Sequence, residues 1–211
     1  DIEASIKPDD PHFARSRLLC LENTLGGRLM PMAYLRDATA LARRHGLATH
    51  LDGARLFNAA VGLGGDPRAN AREMAELFDS VSVCFSKGLG APAGSALVGS
   101  AELIARAKRV RKMAGGTMRQ AGILAAAAMH ALDHHIDRLA DDHARARRLA
   151  EGLQGLPGVT VQMPQTNMVF IDLPRERAAA TVAALREQGV LSTGLYQLRL
   201  VTHLDVNDEQ I

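Results

Sequence analysis

Lys87 is the residue of this sequence best placed for chemistry, because it stands among glycines directly after an apolar run. Residues 81–85 predict a buried strand, and the segment 86–94 after it contains three glycines. Glycine adopts backbone conformations that other residues resist and lets a ligand approach closely. A lysine that is removed from water becomes a nucleophile towards carbonyl groups. A surface lysine in a glycine-rich turn explains this stretch equally well when it is taken alone.

Two further polar stretches also follow predicted strands. Residues 22–24 come after the apolar run 17–21, and residues 52–55 come after the run 47–51. Their polar side chains are Glu22, Asn23, Thr24, Asp52 and Arg55. The carboxyl ends of parallel strands are where such sheets place their chemistry. We therefore expect these side chains to meet Lys87 at one edge of a sheet, although the stretches lie far apart in sequence.

Strands alternate with helical patterns over most of the chain. Helices are predicted at 30–45, 71–78, 101–112, 117–135 and 137–153, and another short strand is predicted at 95–99. This alternation is typical of an α/β fold with a mainly parallel sheet. The alanine-rich stretch 117–135 is apolar on most faces, which predicts a nearly buried helix in a large core or a subunit interface.

A smaller unit is expected after the glycine and proline break at 155–158. The patterns there predict strands at 159–163, 167–173 and 198–204 and a helix at 176–188. This order favours a small α+β domain at 155–211 beside a large domain at 1–154. Residues 207–209 resemble a helix start, and we expect both domains to be incomplete parts of a longer protein. Arg199 alternates with leucines in its strand and is predicted to point away from them.

The composition excludes several classes of function. The chain of 211 residues has 47% apolar residues, 23% charged residues and a net charge of only +2, so neither a nucleic-acid nor a membrane partner is predicted. Aromatic residues make up 3%, too few to form stacking platforms for bases. Cys20 and Cys84 are each predicted to be reduced core residues of a cytoplasmic protein. His130, His134 and His135 lack a metal-binding pattern, so we predict a solvated or interface face there and no metal site.

A lysine that forms an imine needs a partner that uses it. Pyridoxal phosphate requires such a lysine, together with an acid beside its pyridine nitrogen. Asp52 provides an acid at a strand end, and an ionised carboxylate there keeps the ring nitrogen protonated. The alternative role for Asp52 is to cap a turn with Gly53.

Five stretches occur in one order along the chain. They are residues 21–24, 50–55, 86–90, 112–120 and 199–206. Together they resemble the low-specificity L-threonine aldolases, which are pyridoxal-phosphate enzymes of the aspartate aminotransferase fold. The resemblance runs from about residue 17 to the end and implies reversible cleavage of L-threonine or L-allo-threonine to glycine and acetaldehyde. It also implies a homodimer or homotetramer with shared active sites.

The resemblance implies roles for six residues. Lys87 matches the lysine that carries the cofactor, and Asp52 matches the acid at the pyridine nitrogen. Arg55 matches an arginine that reaches the cofactor and the substrate carboxylate, and Arg199 matches the small-domain arginine that binds that carboxylate. Two further matches, Lys112 and Arg119, are to basic residues that approach a cofactor, including that of a neighbouring subunit. A purely structural role explains these two residues equally well.

The sequence departs from the family pattern in two places. The N-terminal segment that supplies a ring-stacking histidine and a phosphate-binding loop in relatives is not found, and Leu25 stands where many relatives have a histidine. Two alternatives therefore stay open. One is another lyase, a racemase or an aminotransferase with the same cofactor and fold, and the other is a non-catalytic dimerising scaffold.

Overall fold

Two sheets with their own helices organise the fold. The computed structural model describes residues 2–211. The elements in chain order are α1 Ile2–Ser5, β1 Leu18–Glu22, α2 Met32–Arg44, β2 Ala48–Gly53, α3 Leu56–Gly62, α4 Pro67–Glu76, β3 Ser80–Cys84, β4 Ser95–Gly99, α5 Ala101–Met113, α6 Gly122–His134, α7 Leu139–Leu153, β5 Thr160–Gln162, β6 Met168–Asp172, α8 Arg175–Glu187 and β7 Gln197–Val201.

The larger sheet has the strand order β1-β2-β3-β4. The first three strands run parallel, and β4 returns antiparallel beside β3. Glu22 lies opposite Asp52, and Asp52 lies opposite Ser82, so all three strands end at the same edge. The predicted α/β fold with a mainly parallel sheet is confirmed.

One face of this sheet carries the main apolar core. Leu51 and Val81 pack there with Leu35 of α2, Leu56 of α3 and Met74 of α4. The start of β3 is fixed by Asp79, whose Oδ2 accepts hydrogen bonds from both N–H and Oγ1 of Thr49, at 2.7 and 3.0 Å. These contacts set the strand alignment that brings the polar strand ends together.

The other face of the sheet is more open, and the prediction for Cys20 was wrong. Cys20 is exposed, whereas Cys84 is half-buried. The reason lies in the alternation along β1, which is an edge strand. Leu21 points to the helix-covered face and packs against the core, so Cys20 must point the opposite way.

The second sheet has the order β5-β6-β7 and is antiparallel throughout. Its core is formed by Val169, Ile171 and Leu198 against Ala146 and Ala150 of α7. The opposite end of α7 reaches the first unit, where Leu139 packs with the segment after β3. Because α7 packs against both units, the division at residue 154/155 stays a prediction.

Side chains from the second unit also bond the turn after β1. Thr166 Oγ1 donates to the Gly27 carbonyl at 2.7 Å, and the Leu29 N–H donates to Gln165 Oε1 at 2.7 Å. Gly27 has a φ of +78°, and a Cβ built there would lie 2.8 Å from Met168 Cβ. Only glycine allows the turn and the second sheet to approach so closely.

Two predictions of elements need correction. The helix predicted at 117–135 begins at Gly122, and it is mostly exposed: Ile123 is 82% and Met129 is 64% exposed. Its apolar surface lies on the outside of the chain, so the core alternative was wrong, whereas the interface alternative stays a prediction. The strand predicted at 198–204 ends at Val201. Leu204 is consequently exposed rather than packed with the other leucines of that strand.

Helix α3 was not predicted, because it is short and has no side-chain cap at its N-terminus. Its seven residues lie between Arg55 and a glycine-rich turn. No helix within residues 2–211 is both long enough and apolar enough to cross a membrane.

Candidate active site

Lys87 lies in a tightly bonded connection between β3 and β4. The N–H of Gly90 donates to the Lys87 carbonyl at 2.9 Å, and the N–H of Ala91 donates to the Phe85 carbonyl at 2.9 Å. Gly90 and Gly94 have φ values of +74° and +113°, which side-chain-bearing residues rarely adopt. The glycines therefore allow a compact turn that holds the Lys87 backbone at the end of β3.

The underside of this connection is packed against two helices. A Cβ built at Gly88 would lie 2.8 Å from Asn58 Oδ1 of α3 and 2.9 Å from Leu139 Cδ2 of α7. The side chains of Leu89 and Ala91 are buried in the same apolar cluster as Leu139. This packing leaves no room for a side chain at position 88.

A cavity of about 440 Å³ opens beside Lys87. Its lining combines three parts of the chain: segment 86–92, Arg55 at the start of α3, and residues of the second unit. The second unit contributes Asn167, Val201, His203, Leu204 and Asp205. The cavity thus lies where the two units meet, a common position for small-molecule sites.

Arg55 gives this cavity a positive charge that lacks a partner. Its Nε is buried without a hydrogen-bond partner among the described residues. Burial, and then the nearby Arg199 guanidinium, lower the pKa of Arg55, whereas the nearby Cys84 and Glu22 oppose this effect. Two guanidinium groups that repel each other across one site are both stabilised by an anion, and a carboxylate suits their planar donors.

Asp52 lies on β2, the strand next to the one that presents Lys87. Its Oδ1 accepts hydrogen bonds from the Ala54 N–H at 3.0 Å and from Ser82 Oγ at 3.5 Å. Asp52 therefore does cap a turn, as the alternative interpretation predicted. Both recorded bonds go to Oδ1, so within residues 2–211 the second carboxylate oxygen has no recorded protein donor.

The residues present fit pyridoxal phosphate at this sheet edge. The fit has three parts: a lysine in a cavity, a carboxylate on the adjacent strand, and a half-buried arginine whose Nε is buried without a partner among the described residues. Of the described residues, Lys87 and Arg55 line the cavity, whereas Asp52 and Arg199 do not. Asp52 stands at the same edge, and Arg199 is close enough to Arg55 to act on its charge.

The first polar stretch has a structural role at Asn23. Its side chain is fully buried, its Oδ1 accepts from the Met30 N–H at 3.0 Å, and its backbone N–H donates to the Asp52 carbonyl at 3.1 Å. Asn23 therefore fixes the end of β1 beside Asp52. Leu25 is more than half exposed and forms a small backbone bridge with Arg28.

Two predicted site residues lie outside this arrangement. Lys112 is in the last turn of α5, and Arg119 is in the connection to α6; both are exposed. No hydrogen bond or ion pair in the described chain joins either of them to the residues around Lys87. Their predicted approach to a cofactor stays a prediction.

Asn167 is a site residue that the sequence analysis missed. It is 1% exposed and lines the cavity. Its Nδ2 donates to the Thr202 carbonyl at 2.9 Å, while its Oδ1 is buried without a partner in the described chain. The polar pair Thr166 and Asn167, standing directly before the apolar strand β6, was the available signal.

A buried histidine supports the helix beneath Lys87. Asn58 Nδ2 lies 3.2 Å from His143 Nε2, so the neutral ring accepts this hydrogen bond. Burial lowers the pKa of His143 to about 4. Because Asn58 packs against Gly88, the His143 ring is connected through Asn58 to the connection that carries Lys87.

Acidification should weaken the fold through His143. A histidine whose pKa is depressed in the folded state stabilises the protein fully above its unfolded pKa of about 6.5, and the contribution is lost as the pH falls towards 4. Compared with a His143→Gln variant, which keeps an acceptor but cannot titrate, the wild type should lose up to about 3 kcal/mol between these pH values. Urea unfolding at a series of pH values measures this difference. Parallel stability curves for the two proteins would show that His143 is not the titrating group, and His134→Gln is the exposed control.

The three histidines at the end of α6 lie close together. The His130 ring centroid is 4.4 Å from that of His134 and 5.2 Å from that of His135. No group of three or more His, Cys, Asp or Glu residues within 2–211 is arranged to hold a metal ion. His135 Nδ1 lies 2.6 Å from the Leu89 carbonyl, so this histidine contacts the connection that carries Lys87.

Comparison with known proteins assigns the chain to a family. The model of the beta-eliminating lyase family matches residues 1–176. The chain belongs to the beta-eliminating lyase family. That match extends over β1 to β4 and therefore includes Asp52, Arg55 and Lys87.

Two proteins named as threonine aldolases are similar in sequence to this member of the beta-eliminating lyase family. It is 48% identical over 210 residues to the low specificity L-threonine aldolase of Escherichia coli O157:H7, covering 100% of this chain and 62% of that protein. It is 41% identical over 224 residues to the low-specificity L-threonine aldolase 1 of Arabidopsis thaliana, covering 100% of this chain and 61% of that protein. The chain thus spans about three fifths of the length of these relatives.

A solved structure supports the fold. The threonine aldolase of Leishmania major matches with a TM-score of 0.82 at 23% identity, covering 100% of this chain and 63% of that chain. At this identity, the likeness concerns the fold alone. It confirms the predicted relation to the fold of the threonine aldolases.

Proposed function

We propose that the protein is a pyridoxal-phosphate-dependent aldehyde-lyase that cleaves L-threonine and L-allo-threonine to glycine and acetaldehyde. The observation that carries the proposal is the cavity that joins Lys87 to the half-buried Arg55, whose Nε has no partner among the described residues, at the sheet edge where Asp52 stands. The names of the relatives with 48% and 41% identity support the same reaction.

Lys87, Asp52 and Arg55 would hold the cofactor. Lys87 supplies the amine for covalent attachment, and Asp52 supplies a negative charge from the neighbouring strand. When bound, pyridoxal phosphate accepts the electrons of the bond that is broken at the amino-acid Cα. The protein's own contribution is to hold the reacting groups in one orientation within the cavity.

Arg55 and Arg199 would bind the substrate carboxylate. The two guanidinium groups lie near each other, one directly before α3 and one on β7. Holding the carboxylate from both units fixes which bond at Cα stands ready to break. With Cα–Cβ in that position, the hydroxyl-bearing side chain leaves as an aldehyde once its hydroxyl proton is removed.

The direct test is the conversion of L-threonine by the purified protein with added pyridoxal phosphate and no keto acid. Glycine and acetaldehyde in equal amounts support the aldolase. Turnover only with a keto acid would instead identify an aminotransferase, and conversion of L-threonine to D-allo-threonine without cleavage would identify a racemase. A protein that binds no cofactor would fit the dimerising scaffold.

Replacing Arg199 with lysine should weaken substrate use without disturbing the cofactor. A lysine cannot make the two parallel bonds that a guanidinium makes with a carboxylate. We expect KM for threonine to rise and kcat/KM to fall. The fall should correspond to a loss of about 1.5 to 3 kcal/mol of transition-state stabilisation, which is the contribution of a hydrogen bond to a charged group. Steady-state kinetics and the cofactor absorbance measure both effects.

The matched control is Arg186→Lys, on the exposed surface of α8. It should leave KM and kcat unchanged. If the Arg199 variant also keeps wild-type constants, Arg199 is a surface residue and has no part in substrate binding.

The proposed partner in solution is a second copy of the chain. Five large apolar side chains from the end of α5, the following connection and α6 are more than half exposed: Val110, Met113, Met118, Ile123 and Met129. Lys112 and Arg119 lie among them in sequence, so a second copy on this surface would receive both basic residues. The molecular mass in solution tests the association.

Two unpaired cysteines in the described chain support a cytoplasmic location.

A further inference from the structure

His135 makes the one side-chain hydrogen bond recorded to segment 86–92 within residues 2–211. Its Nδ1 lies 2.6 Å from the Leu89 carbonyl oxygen, so the ring donates from Nδ1–H. His135 follows the last residue of α6, and its backbone N–H donates to Ala131 at 2.9 Å. The ring is therefore held by a helix that packs under the segment.

The acceptor of this bond belongs to the peptide group that also fixes Lys87. The peptide unit between Leu89 and Gly90 is planar, so its C=O and N–H groups turn together. The C=O accepts from His135, and the N–H of Gly90 donates to the Lys87 carbonyl at 2.9 Å. Rotating this peptide group would break both bonds at once.

Gly90 makes such a rotation possible. Its φ is +74°, and glycine populates both signs of φ about equally. A turn with glycine at this position therefore has an accessible alternative in which the N–H points away from Lys87. The bond from His135 opposes that alternative from outside the turn.

We propose that His135 is a positioning residue for Lys87: by bonding the Leu89 carbonyl, it prevents rotation of the Leu89–Gly90 peptide group and so keeps the Lys87 backbone in its catalytic position. The proposal rests on the proposed function only for the role of Lys87 in catalysis. The effect on the peptide group itself is independent of what Lys87 does.

Three variants of the purified protein separate this role from simple packing. His135→Asn keeps a donor near the position of Nδ1, and His135→Leu removes the donor but keeps an apolar side chain. His134→Leu is the control, because His134 contacts His130 and has no recorded bond to segment 86–92. Hydrogen exchange of a peptide that covers residues 85–94 is the readout in both the cofactor-loaded and the cofactor-free protein.

We expect exchange at Gly90 to be about tenfold faster in His135→Leu, the factor that corresponds to one ordinary hydrogen bond. His135→Asn should restore the protection, and His134→Leu should leave it unchanged. In kinetics, His135→Leu should lower kcat about tenfold with KM changed less than twofold, and His135→Asn should recover most of kcat.

Two results would overturn the proposal. Wild-type exchange of this peptide in His135→Leu would show that the bond does not hold the peptide group. Equal effects of the asparagine and leucine variants would show that the ring acts by packing. A third result separates the two proposals. If hydrogen exchange changes as expected but neither the wild type nor any variant cleaves threonine, the proposed function is wrong and the positioning of Lys87 by His135 stands.

Discussion

Lys87→Ala should abolish threonine turnover, even at concentrations of pyridoxal phosphate at which the cofactor still binds. The substitution removes the only lysine side chain that lines the cavity within the described chain. Under the proposed function, the variant lacks both the covalent anchor of the cofactor and an amine that can move protons at the substrate Cα. The production of glycine from threonine by the variant and the wild type measures the effect.

The same prediction has a chemical readout in the wild type. Borohydride reduction of the loaded protein, followed by peptide mapping, should place the label on Lys87. Lys108→Ala, on the exposed face of α5, is the matched control and should retain full activity. A label on another lysine, or near-normal glycine production by Lys87→Ala, would remove Lys87 from the mechanism.

Asp52→Asn should lower kcat by at least about 10²-fold, because a neutral amide cannot stabilise a protonated ring nitrogen as a carboxylate does. The structure makes this a clean substitution. Both recorded hydrogen bonds to Asp52 go to Oδ1, and the asparagine side chain keeps a carbonyl oxygen there. The turn with Ala54 should therefore persist while the charge is lost.

Measurement of kcat, thermal stability and cofactor absorbance separates the two effects. Asp37→Asn, on the exposed face of α2, removes a charge of the same sign away from the strand ends and should leave kcat unchanged. An Asp52 variant with wild-type kcat and a normal cofactor spectrum would show that Asp52 only caps its turn.

The strand ends could be predicted because their signals are local. An apolar run followed by polar residues and glycines marks the end of a buried strand, and parallel strands end at one edge. This reasoning predicts that residues 22–24, Asp52 and Lys87 lie at one edge of the sheet, but it does not predict the strand register. The structure adds the register, in which Glu22 pairs with Asp52.

The residues that were missed depend on contacts across long stretches of chain. His135 reaches Leu89, 46 residues away, and Asn58 meets His143, 85 residues away. Neither pair has a sequence pattern of its own, because a histidine at the end of a helix is equally common in solvent. The exposure of Cys20 was missed for a related reason: an apolar pattern shows that a surface prefers burial, but not which surface covers it. For α6 the same pattern left both a core and a subunit interface open.

The two walls of the cavity have different freedom to vary. The Lys87 wall is constrained by glycines that accept no side chain, by backbone bonds within the turn and by packing from two helices. The other wall is formed by Val201, the last residue of β7, and by residues 203–205 after it, whose side chains are exposed or half-buried. Under the proposed function, libraries for a new aldehyde range should therefore diversify residues 203–205 and leave 86–94 untouched, because the second wall can change without displacing Lys87.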